Sequence, residues 1–130
     1  MGARNIYRLL ESPGAGFTVT AHTANKSLAV GELNEIHTTR GAAGAVTFTL
    51  PGASGNSGQW CLFISAADFT MSVTGTDEEL LTFNDLTADT VAFDQSGKKI
   101  GQVMLAICDG SSWCVSPIGV TATAMTVTSG

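Results

Sequence analysis

The sequence predicts an all-β protein, a small antiparallel β-sandwich or barrel-like domain carrying a short N-terminal arm. Three observations carry that expectation. Past Phe17 the chain is dominated by Thr, Val, Phe and Gly; β-branched and aromatic side chains suit a pleated surface, and glycine supplies turns. Several windows alternate apolar and polar residues with period two. Turn signals recur about every ten residues, the spacing of sandwiches and barrels.

The arm covers residues 1–16. Ile6, Leu9 and Leu10 give the one helical spacing in the chain, Arg4 and Arg8 add charge, and Ser12-Pro13-Gly14-Ala15-Gly16 cuts the segment off. With Tyr7, these are apolar groups on a segment too short to build a core of its own. Arg4, Ile6, Tyr7, Arg8, Leu9 and Leu10 are therefore the candidate contact residues of the arm.

The body, residues 17–130, opens with Phe17, Val19 and Ala21 alternating with Thr18 and Thr20. Val46, Phe48 and Leu50 alternate with Thr47 and Thr49, and Phe69, Met71 and Val73 with Thr70, Ser72 and Thr74. Each window predicts a half-buried strand. Two others, Trp60-Cys61-Leu62-Phe63-Ile64 and Val103-Met104-Leu105-Ala106-Ile107-Cys108, are apolar on both faces. Such strands need cover on both sides. A two-layer sandwich covers one, so the second cover is expected from another subunit, with Phe63 and Met104 as interface candidates.

Between the strands, residues 51–58 form a Gly/Ser-rich loop. Residues 75–79 and 94–98 read as polar turns, and Asp109-Gly110 marks a hairpin. The Thr-rich stretch from Gly119 to Gly130 reads as a closing or edge strand.

Length and charge narrow the function. One domain accounts for 130 residues, and the 44% apolar, 13% charged composition argues against disorder. Six basic residues against eleven acidic ones give a net charge of −5. Nucleic-acid binders need a basic stripe, and anionic membranes repel such a chain. No apolar stretch is of signal-peptide or membrane-helix length, so neither is expected. Three cysteines cannot form a fully paired disulfide framework, so synthesis in the cytoplasm with buried free thiols is expected.

The sequence offers no case for catalysis, and no catalytic, cofactor or metal site is expected. His22 and His37 lack any metal-ligand spacing and read as solvated histidines. Gly52-Ala53-Ser54-Gly55 falls short of a nucleophile elbow. Asp77-Glu78-Glu79 reads as a solvated acidic turn, lacking the alternating ligands of a calcium loop. Cys108 and Cys114 flank the hairpin turn and would face each other if Asp109 paired with Trp113. Trp60 and Trp113 lie in apolar runs and read as core.

Three segments stand out from Gly41 onward: Gly41-Ala42-Ala43-Gly44-Ala45-Val46-Thr47-Phe48-Thr49-Leu50-Pro51, then Gly58-Gln59-Trp60-Cys61-Leu62-Phe63-Ile64, and the closing hairpin Asp109-Gly110-Ser111-Ser112-Trp113-Cys114-Val115. In these the chain resembles structural proteins of tailed-phage virions. The resemblance covers Phe17 to Val115 and departs at Gly75-Thr76-Asp77-Glu78-Glu79-Leu80, which is longer and more acidic than the usual turn. It implies a capsid decoration, or cement, protein: a homotrimer on the outer surface of the shell. Its arms would contact the major capsid protein at three-fold or quasi-three-fold sites. Fibre or spike domains and small carbohydrate-binding modules are the alternatives, and sixteen residues ahead of the body are too few for a fibre shaft.

Overall fold

The computed structural model describes residues 16–76, 79–118 and 125–129. The arm residues Arg4, Ile6, Tyr7, Arg8, Leu9 and Leu10 lie outside them. The fold is all-β: eleven strands and one 3-10 turn, Val30–Glu32, among the described residues. The strands are β1 (Val19–Ala21), β2 (Lys26–Ser27), β3 (Glu35–Thr38), β4 (Val46–Thr49), β5 (Trp60–Ile64), β6 (Met71–Thr74), β7 (Leu80–Thr82), β8 (Asp85–Phe93), β9 (Val103–Cys108), β10 (Trp113–Pro117) and β11 (Thr126–Ser129).

Ten of them form one curled path, β1-β3-β5-β9-β10-β7-β8-β6-β4-β2, with β11 added on β8. The expected antiparallel sheet is in fact mixed. From β1 to β6 successive strands alternate between the two ends of the path, so neighbours within a sheet are two strands apart and run the same way. That winding makes β1·β3, β3·β5, β2·β4 and β4·β6 parallel. β9 and β10 close antiparallel on β5.

The path forks at β8. Its first half pairs with β7 and its second half with β6, both antiparallel. β7 continues into β10 and β6 into β4. Two sheets therefore diverge from one long hairpin arm, and Trp113 sits where they part. Its backbone N–H donates to Glu79 O across 2.7 Å and its indole Nε1–H to Pro51 O across 2.8 Å. The Glu79 carboxylate accepts the Ala53 N–H, tying the 51–58 loop over the fork. Glu79 is thus a structural cap and not part of a solvated turn; Asp77 and Glu78 lie outside the described residues.

The core fills the space between the sheets: Val46, Phe48, Leu50, Phe63, Met71, Val73, Phe93, Met104 and Trp113 are all buried. Alternation placed Val46, Phe48 and Leu50 correctly. It misplaced Phe69, which is exposed ahead of β6, and inverted β1, where Phe17 and Val19 face solvent at 48% and 59% exposure. β1 is a short end strand, and its Thr20 shares the inward row with His37 and Phe63.

Phe63 and Met104 require a correction. They pair in register between β5 and β9, and both are 0% exposed within the single chain. They face the chain's own core and offer nothing to a neighbour. The half-buried outward side chains of the same strands, Leu62, Ile64, Val103 and Leu105, are the ones open to a neighbour.

The hairpin at Asp109-Gly110 forms as expected, but Cys108 pairs with Trp113. Cys108 therefore points inward and Cys114 outward, on opposite faces, and both are free thiols. β11 supplies the expected C-terminal strand.

Candidate functional site

Two features outside ordinary core packing stand out, a histidine pair inside the body and an apolar surface outside it. His37 occupies the inward row of β3 and is 0% exposed. Its ring lies against Phe63, with centroids 5.8 Å apart, and Phe48 packs on Phe63 at 5.0 Å. His37 Nε2 sits 2.9 Å from the Glu32 carbonyl oxygen. A carbonyl can only accept, so Nε2 carries the proton and Nδ1 of the neutral ring accepts. That acceptor takes the Nε2–H of His22 at 2.9 Å. The pair ties the β1–β2 link to β3.

The histidines were read as solvated; burial and complete hydrogen bonding overturn that for His37. Burial is the main cause that lowers the pKa of His22, with His37 and Lys26 adding to it against Glu32 and Glu35. The pair lies at the edge of an aromatic cluster, with His22 edge-on to Phe48 at 5.2 Å. Its role is to satisfy polar groups in the core. Burial also pushes the Cys61 thiol up to about 12 and raises that of Cys108, so both stay protonated and inert. Among the described residues no three His, Cys, Asp or Glu side chains cluster as metal ligands.

The outer surfaces of the two sheets differ sharply. On β4, β6, β8 and β11 the outward row reads Thr49, Thr74, Thr90 and Thr128, with Thr47 beside Ser72 in the next row. On β3, β5 and β9 the corresponding rows are largely apolar, with Thr38 at the β3 margin and Ser116 on β10 as the polar members. Ile36, Leu62 and Leu105 lie side by side, and Ile64 lies beside Val103. A third row runs Trp60, Ile107, Cys114 and Leu81. Ile107 is 46% exposed, and Ile118, hydrogen-bonded to Val103 O, is 53% exposed. No charged side chain interrupts these rows.

Comparison with protein-family models, curated proteins and solved structures finds no match to this chain. A soluble monomer rarely leaves a contiguous apolar patch of this kind uncovered. Strands apolar on both faces carry this signal in the sequence, but composition alone does not say which side chains face the chain's own core.

Beside this surface lies a groove of about 540 Å³ between the β7–β8 turn and β10. Leu81, Phe83, Leu86 and Cys114 supply its apolar walls, and Asp85 and Ser116 polar ones. Phe83 and Asn84 form the turn, both with left-handed backbones, φ 44° and 65°. A left-handed backbone is costly for a bulky residue, yet the Phe83 ring is 51% exposed. Sequence reasoning passed over this turn because Phe83-Asn84 lacks the glycine that usually marks it.

Proposed function

We propose that this chain is a virion structural protein, a homotrimeric decoration protein that binds the outer shell of a tailed phage at three-fold or quasi-three-fold sites and stabilises it. The observation that carries the reading is the uncharged outward face of β3, β5, β9 and β10, set against the hydroxyl-rich outer face of β4, β6 and β8. One surface is built for water and the other for a protein neighbour.

The proposed neighbours are further copies of the chain, meeting through Leu62, Ile64, Val103 and Leu105, and the major capsid protein beneath them. A trimer matches the local symmetry of shell junctions. Three linked contacts to the shell bind far more tightly than one. The motifs from Gly41 to Pro51 and from Asp109 to Val115, which resemble phage structural proteins, fit the same reading.

Purified particles test it. Quantitative mass spectrometry and labelling microscopy should find the chain on the head, in copy number comparable with the shell subunits. A handful of copies confined to the tail would overturn the proposal in favour of a fibre or spike.

A further inference from the structure

The groove at the β7–β8 turn lies at the end of a defined path. Phe17 packs edge-on against Trp60, ring centroids 5.2 Å apart, so the chain enters the described region at the outward face of β5. From Trp60 the row passes through Ile107 and Cys114 to Leu81, on the groove wall. Three strand steps of about 4.8 Å make that path roughly 14 Å long. The stretch from Leu10 to Phe17 reaches roughly 23 Å when extended, so it spans the row with chain to spare.

The chemistry of the two ends matches. The groove presents Leu81, Phe83 and Leu86 beside the Asp85 carboxylate, and among the described residues no lysine or arginine lines it. The chain ahead of Gly16 carries Ile6, Tyr7, Leu9 and Leu10 together with Arg4 and Arg8. An apolar, basic segment meets an apolar, acidic groove. Phe83 keeps an exposed side chain on a left-handed backbone, a conformational cost that burying the ring would offset.

We propose that residues 4–10 seat in the groove of their own chain. Ile6, Tyr7, Leu9 and Leu10 cover Phe83 and Leu86, and the arginines are drawn to Asp85. The segment crosses the Trp60–Ile107–Cys114–Leu81 row at one margin of the apolar face and leaves the Leu62–Leu105 and Ile64–Val103 rows to neighbouring subunits. The proposal does not rest on the capsid reading, since it concerns the free protein.

Cys114, exposed on the groove wall, reports on it directly, because Cys61 and Cys108 are buried. Maleimide labelling of Cys114 should quicken at least about five-fold when residues 2–12 are deleted, with Cys114→Ser supplying the background. An unchanged rate in a folded deletion variant overturns the proposal. A second variant decides the matter even if the deletion unfolds the protein. In full-length Leu9→Cys, mild oxidation should join the introduced thiol to Cys114 within one chain, giving a compact monomer band on a non-reducing gel. A band at twice the mass, or no cross-link while Cys114 still labels readily, overturns the seat proposed here.

Discussion

The Nε2–H of His22 donates to Nδ1 of His37, whose own Nε2–H is committed to the Glu32 carbonyl. Protonating His22 adds charge at the edge of an aromatic cluster, beside Lys26 and the partner ring, with Glu32 and Glu35 opposing. The lowered pKa means that the fold favours the neutral ring. Its stabilising contribution is complete above the ordinary value of 6.5 and is lost as pH falls below it, toward the folded value. Urea midpoints should therefore decline between pH 7.5 and pH 5.5. His22→Gln keeps a donor for His37 but cannot titrate, so its midpoint should stay flatter over the same interval.

Trp113 closes the fork, and its indole bond to Pro51 is the part that packing alone cannot replace. Trp113→Phe leaves the Pro51 carbonyl without that donor and opens a small cavity where the sheets diverge. The expected loss is about 2–4 kcal/mol, measured by chemical denaturation, with no change in the far-ultraviolet strand signal.

How much of this was legible in the sequence depends on what each residue reports. Val46, Phe48 and Leu50 reported their burial because period two in a covered strand needs no knowledge of partners. Phe17, Val19 and Ala21 showed the same period, but on a terminal strand the period does not say which face is inside. Parallel pairing was hidden because turns every ten residues look the same whether the next strand pairs locally or crosses to the other sheet. His37 was misjudged because its partners, Glu32 O and His22, become visible only when the β1–β2 link folds back. The apolar surface was half legible: the composition of β5 and β9 announced two faces, and only the register assigned Phe63 inward and Leu62 outward.

The Phe83 turn predicts a gain of stability on substitution. Phe83→Gly relieves a left-handed conformation that costs a non-glycine residue roughly 1–2 kcal/mol, offset by greater freedom in the unfolded chain. In the variant lacking residues 2–12, where no arm side chain covers the ring, the net gain should be about 0.5–1 kcal/mol, visible as a higher urea midpoint. A loss of stability instead would mean that the exposed ring makes contacts worth more than the backbone strain.

The outward faces of the two sheets predict opposite responses to the same change. Leu62 and Leu105 are neighbours on β5 and β9, half-buried on the side away from the core, while Phe63 and Met104 hold the inner side. Leu62→Glu with Leu105→Glu places two like charges together on the surface proposed to meet other copies. In an isolated subunit these carboxylates remain solvated, so the fold should survive with its strand spectrum intact. Across a subunit contact they would be buried without partners, which costs several kcal/mol. Light scattering should therefore show the wild type as a trimer and the double variant as a folded monomer. Thr49→Glu with Thr74→Glu makes the equivalent change on the hydroxyl-rich face and should leave the trimer intact. Dissociation by the threonine pair, or persistence of the trimer in the leucine pair, would move the subunit contact off the β5–β9 face.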